Sequence, residues 1–206
     1  MRDDLSMSGA PLFFFGAMSP YSWLAAERIG GLLPEARWRG VLAGALFKAN
    51  GRISWGLTER REEAIADCQA RAVMRGLGPI RWPDPWPTSD LLIARAMVYA
   101  GRSGDGADGG LRAFALSAMR LAFLEGADLA ELDAVLEAGR RCAIDSDELR
   151  AALSNQAVKD ALRCVTDEAL ALGVFGVPTI AVGQELFWGD DRLEDAAEAY
   201  ASIGGD

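Results

Sequence analysis

Hydrophobic and polar positions change period along the chain, and each change marks an element. Leu12-Phe13-Phe14-Phe15 is an unbroken apolar run, the pattern of a short strand buried on both faces. Gly16 follows, and Ser19 with Pro20 then reads as a helix N-cap and a first helical position. The helix is predicted over Tyr21 to Ile29 and stops at Gly30-Gly31. Ala36 to Ala43, carrying Trp38 and Val41, predicts a second strand, parallel to the first through that crossover helix.

The middle of the chain keeps the helical period. Helices are predicted from Thr58 or Glu59 to Arg75, from Leu91 to Gly101 behind Ser89-Asp90, and from Leu111 to Glu125. Gly101 to Gly110 is glycine-rich and predicts a mobile surface loop. Asp128 with Glu131, and Asp145 with Glu148, have capping-box spacing and open two more helices. Ser154 is the expected cap of a long helix whose apolar stripe is Val158, Leu162, Val165, Ala169 and Leu172, closed by Gly173. The period then falls to that of strands over Thr179 to Val182 and Leu186 to Trp188, joined through Gly183-Gln184-Glu185. A last helix is predicted from Asp191 to Ile203.

Composition narrows the chemistry. Thirty acidic against twenty-one basic residues give a net charge of −9, which argues against a nucleic-acid partner or an anionic membrane surface. The chain has no histidine, so Ser-His-Asp catalysis, Cys-His catalysis and imidazole-held metals are excluded, and no metal site is expected. Cys68, Cys142 and Cys164 are scattered through predicted helices, without metal-ligand spacing, and fit buried thiols in a reducing compartment. With no signal-peptide pattern in residues 1–11 and no apolar run near the eighteen or so residues of a membrane span, a cytoplasmic protein is expected.

Four groups of residues could carry chemistry. At Ser19 a hydroxyl meets the free N–H groups of a helix start at the end of a strand, where it could hydrogen-bond a thiolate; ordinary capping explains the same residue. Val177-Pro178 is either a proline opening a strand or a site where exposed backbone pairs with a peptide-like ligand. In Phe187-Trp188-Gly189-Asp190-Asp191-Arg192, one of the two aspartates caps the last helix, binds a ligand ammonium, or does both. The loop Arg81-Trp82-Pro83-Asp84-Pro85-Trp86-Pro87 either packs structurally or walls an aromatic ligand.

The motifs Ser19-Pro20-Tyr21-Ser22-Trp23 and Gly176-Val177-Pro178-Thr179 look like the two halves of a thioredoxin-type site in which Ser19 and Ser22 stand where a redox site has Cys-x-x-Cys. The order β-α-β, several helices, then α-β-β-α is that of an α/β thioredoxin-like core with an all-helical insertion. The expected division is a flexible N-terminus over 1–10, a core over 11–48 and 158–203, and an insertion over 49–157.

More specifically, the chain resembles the 2-hydroxychromene-2-carboxylate isomerase family, related to kappa-class glutathione transferases and periplasmic disulfide oxidoreductases. The matching segments are Ser19 to Ala25, Leu42 to Lys48, Gly173 to Thr179 and Phe187 to Leu193, in the right order over about residues 11 to 203. The resemblance implies a glutathione-dependent cis/trans isomerase of aromatic degradation products, usually a homodimer. It makes Ser19 the catalytic residue at the glutathione sulfur, and Pro178 a cis proline. Val177, Asp190, Asp191 and Lys48 join Pro178 as glutathione-site residues, with Asp191 the better partner for the ammonium. Tyr21, Phe47, Trp82, Trp86 and Trp188 are the expected aromatic-substrate residues. The chain departs from the family's pattern at Gly16, where relatives carry an acid, at Arg52, where they carry asparagine, and through Ile53-Ser54-Trp55-Gly56 and Glu59-Arg60-Arg61-Glu62-Glu63. A kappa-like transferase that conjugates electrophiles and a non-catalytic thiol-binding module are the alternative readings.

Overall fold

The structure is a computed structural model, and it describes residues 9–102 and 109–203. Strand β1 (Leu12–Phe15) leads into α1 (Pro20–Leu32), β2 (Arg37–Gly40) and the short α2 (Ala43–Ala49). The helices α3 (Arg61–Met74), α4 (Leu91–Arg102), α5 (Gly109–Glu125), α6 (Leu132–Arg140), α7 (Ser146–Ser154) and α8 (Gln156–Ala171) follow. The hairpin β3 (Thr179–Val182) and β4 (Glu185–Trp188) and the final α9 (Leu193–Ile203) close the chain.

The sheet order is β2-β1-β3-β4. β1 runs parallel to β2, with Phe13 opposite Trp38, and antiparallel to β3, with Phe13 opposite Ile180. Side-chain alternation on β1 sends Phe13 and Phe15 to one face and Phe14 to the other. Phe13 and Phe15 stack at 5.1 Å and meet Trp38 edge-on in the large core shared with α1, α4 and α5. Phe14 packs with Val41, Leu46, Ala169 and Val177 in a smaller core. Both faces of β1 are therefore dry, as its unbroken apolar run requires.

Several boundaries differ from the sequence reading for local reasons. α1 continues through Gly30-Gly31 to Leu32, because both glycines keep helical backbone; the end comes where Leu33, just before Pro34, donates to Ile29 O. β2 is shorter than predicted, since Ala43 opens α2 and buries Ala43 and Leu46. α8 is capped by Asn155, whose side chain accepts from Ala157 N, and not by Ser154, whose hydroxyl donates to Ala151 O. Asp145 caps α7 as expected, whereas Asp128 accepts from Ala130 N and the Thr88 hydroxyl while Glu131 takes the cap position before α6 without a side-chain bond. A 3-10 turn at Asp190–Arg192 precedes α9.

The thiols are less uniform than the sequence suggests. Cys68 is buried on α3, Cys142 is half-buried in the turn after α6, and Cys164 is exposed on α8. The expected loop over 101–110 lies mostly in 103–108, outside the described residues, as do residues 1–8 of the expected flexible N-terminus; its flanks belong to α4 and α5. Among the described residues no helix is long and apolar enough to cross a membrane, and no group of side chains is placed to hold a metal ion.

Candidate active site

Ser19 sits where β1 hands over to α1. Its backbone is extended, its Oγ accepts from Ser22 N at 3.2 Å, and its own N–H donates to Gly16 O at 3.0 Å. Since Oγ accepts from the helix, its hydroxyl hydrogen is available to a group in front of the helix N-terminus. Ser22, the second position of the motif, is fully buried and accepts from Gly16 N at 3.3 Å, so it fixes the loop and does not face a ligand.

Three segments converge beside Ser19. A Cβ on Gly16 would lie 3.0 Å from Ala43 Cβ and 3.5 Å from Val177 Cγ2. Glycine at 16 is what allows β1's end, α2's start and the Val177-Pro178 segment to meet. The Val177–Pro178 peptide bond is cis, and Pro178 O accepts from Gly189 N at 3.0 Å, tying this segment to the residues after β4.

A cleft of about 810 Å³ opens at this junction. Ser19, Tyr21, Phe47, Lys48, Val177, Pro178, Trp86, Trp188, Asp190 and Asp191 all line it. Ten of the eleven residues singled out from the sequence are thus brought together. Trp82 is the exception: it stands behind the wall, edge-on to Trp86 at 5.0 Å and Phe123 at 6.2 Å, and does not line the cleft. The Pro-Trp loop therefore divides, with Trp82 packed structurally and Trp86 lining the cleft.

Trp86 is pinned close to the reactive end, because its Nε1 donates to Met18 O, one residue before Ser19, at 3.2 Å. Trp55, which the sequence gives only as part of a departure from the family's pattern, packs on Trp86 at 4.8 Å and on Tyr21 at 6.0 Å and completes the aromatic wall. Gly56 lets the turn approach this wall, since a Cβ there would lie 2.6 Å from Trp86 Cζ3. Ile53 and Leu57, both exposed, extend the apolar surface at the mouth.

The two adjacent aspartates have different lives. Asp190 is 1 % exposed and holds two guanidiniums, Arg71 of α3 at 2.9 Å and, on its other oxygen, Arg75, which caps the end of α3. Asp190 is expected beside Asp191 as a glutathione-site residue, but two arginines already occupy its oxygens, which leaves Asp191 as the accessible carboxylate. Asp191 is 59 % exposed, with Arg71 at 3.6 Å, and remains accessible. Burial opposes the charge of Arg71, but its hydrogen bond to Asp67 and the fields of Asp190, Asp67 and Asp191 outweigh that and raise its pKa.

Tyr21 donates to Asp67 at 2.9 Å, and burial raises its pKa, so its phenol is a fixed neutral group. Beneath it, burial pushes the Cys68 thiol up to about 12, which makes it inert as a nucleophile. Arg52, at the mouth, lies over the rings of Phe175 and Trp188 at 5.1 and 5.0 Å.

Comparison with protein families matches residues 12–201 to the DSBA-like thioredoxin domain. The chain belongs to that family. This DSBA-like protein is 26 % identical over 202 residues to a 2-hydroxychromene-2-carboxylate isomerase from Sphingobium xenophagum, covering 91 % of its own length and 95 % of the relative's. Among solved structures, a 2-hydroxychromene-2-carboxylate isomerase superposes with a TM-score of 0.80 at 22 % identity, over 94 % of this chain and 95 % of that one. The cytosolic disulfide reductase DsbM from Pseudomonas aeruginosa with GSH superposes with a TM-score of 0.58 at 16 % identity, over 94 % and 96 % of the two chains. The expected resemblance and the α/β thioredoxin-like fold are both borne out. The DSBA-like family also includes disulfide oxidoreductases, yet here serines hold the redox positions and the thiol at 68 is buried.

Proposed function

We propose that the protein is a glutathione-dependent isomerase acting on a conjugated aromatic carboxylate of the 2-hydroxychromene-2-carboxylate type. The observation that carries this reading is the Ser19 hydroxyl at a helix N-terminus, facing a cleft with Val177-Pro178 on one side and Trp86 and Trp55 on the other. The names of the relatives support the isomerase class, and the GSH in the DsbM structure supports the ligand.

The residues present fit glutathione. Ser19 has a hydroxyl hydrogen to donate to a sulfur, and Asp191 offers an exposed acceptor for an ammonium. Val177 presents its main chain beside a cis proline, for pairing with a peptide-like ligand. Bound there, glutathione would supply a thiolate, the nucleophile for a reversible addition to a conjugated enone that frees the former double bond to rotate before the thiolate leaves again. The chain's own share is orientation and charge stabilisation. Ser19 and the free N–H groups of α1 lower the thiol's pKa and hold the sulfur. Trp86 and Trp55 orient the aromatic ring, and Lys48 lies on the same cleft with a charge suited to the substrate's carboxylate.

Calorimetric titration with glutathione tests the site. Saturable binding to wild type is expected, weakened by about tenfold to a hundredfold in Asp191→Ala, as loss of a charge-assisted hydrogen bond implies. No binding at millimolar glutathione would overturn the reading. A stable conjugate released from a haloaromatic acceptor would favour a transferase instead.

A further inference from the structure

Two stretches depart from the family's pattern, Ile53-Ser54-Trp55-Gly56 and Glu59-Arg60-Arg61-Glu62-Glu63, and one side chain of the second fixes the first in place. Trp55 opens a 3-10 turn over Trp55–Leu57, and Arg61 opens α3. The turn is closed on itself. Ser54 Oγ accepts from Gly56 N at 3.3 Å, and the Thr58 hydroxyl donates to Trp55 O at 2.8 Å. Those bonds shape the turn and leave its place against the Pro-Trp loop open.

The half-buried Arg61 supplies that placement. Its Nη1 donates to Gly56 O at 3.0 Å and also to Trp86 O, so one nitrogen bridges the turn and the loop. Its guanidinium lies over the Trp86 ring, 5.7 Å from the centroid. Among the described residues no other hydrogen bond joins residues 54–61 to residues 81–88. The bridge spans a tight contact, since a Cβ on Gly56 would lie 2.6 Å from Trp86 Cζ3 and 2.8 Å from Pro87 Cδ. The helix itself gains little from a cation at this position. A helix N-terminus disfavours positive charge, and Glu62 and Glu63 already provide the acidic first turn of α3. Arg61 does not line the cleft, so direct contact with a ligand does not explain it either.

We infer that Arg61 is a positioning residue: it clamps the turn to the Pro-Trp loop, holds Trp55 at 4.8 Å from Trp86, and so sets the wall that orients a flat ligand. Trp86 keeps a second anchor at Met18 O, so loss of the clamp releases Trp55 first. The inference rests on the aromatic ligand proposed above and does not need glutathione to be bound. A lysine could keep the charge and one donor but not the stacked plane, so it should hold the wall only in part.

Calorimetric titration of 2-naphthoate, a flat aromatic carboxylate, into wild type, Arg61→Ala and Arg61→Lys tests the clamp. Near-ultraviolet circular dichroism reads the tryptophan pair, and the far-ultraviolet spectrum verifies folding. Arg61→Ala is expected to weaken binding by about tenfold and Arg61→Lys by about threefold, with the tryptophan signal falling in the same order. Should Arg61→Ala not fold, Arg61→Met keeps the apolar stem without the donors and is read in its place. Wild-type affinity in the variant without donors, or equal losses in it and in Arg61→Lys, would overturn the inference alone. Failure of wild type to bind 2-naphthoate would overturn the aromatic reading of the cleft and this inference with it.

Discussion

Replacing Ser19 by alanine is expected to lower isomerisation of a conjugated aromatic enone by on the order of 10²–10³-fold, the loss typical of removing one preorganised donor from developing or bound negative charge. The same substitution removes the side-chain cap of α1, where Oγ accepts from Ser22 N, and should cost about 1 kcal/mol of stability. These effects separate cleanly. A loss of about 1 kcal/mol barely changes the folded fraction of a domain of ordinary stability, so it cannot by itself produce a hundredfold loss of turnover. Rates measured at saturating glutathione, with an unfolding curve on the same variant, decide the matter. Turnover close to wild type would make Ser19 a cap and nothing more.

Asp190→Ala is expected to be the most destabilising change at the site, at about 3–5 kcal/mol, because it removes one side of a buried ion-pair network and leaves the other side charged. Arg71 would keep Asp67 at 2.8 Å and Asp191 at 3.6 Å. Arg75, 17 % exposed, would lose the only carboxylate it is paired with among the described residues. Arg28, which donates to Asp190 O at 3.3 Å and pairs with Glu194, would then face one uncompensated neighbour, Arg75. Urea unfolding checks this, with the midpoint falling at unchanged slope. A loss below about 1 kcal/mol, the range of an exposed pair, would mean that the arginines find water or Asp191 when Asp190 is gone.

Much of the site was legible because its signals are local. Ser19-Pro20 caps a helix by chemistry confined to one turn, and Gly16 needs only the absence of a Cβ. The apolar run of β1 likewise specifies a two-sided burial that any fold must respect. What the sequence left undivided was decided by distant residues. Asp190 and Asp191 are neighbours with the same side chain, and only Arg71 and Arg75, more than a hundred positions earlier, make one structural and leave the other accessible. Trp82 and Trp86 part in the same way, because Phe123 packs on the first and Met18 O accepts from the second. Asp90 satisfied a local capping pattern so well that its partner on α2, Gly44, left no trace in the sequence.

The placement of Arg52 bears on how ligands arrive. Its guanidinium lies over the faces of Phe175 and Trp188, and among the described residues no carboxylate forms an ion pair with it. Lys48 and Arg60 line the same opening, on a chain whose net charge is −9. An approaching anion is therefore repelled by most of the surface and drawn in at one point. Added salt weakens that attraction outside the cleft far more than the contacts deep within it. On the function proposed above, capture becomes sensitive to the ionic medium, while contacts deep in the cleft do not.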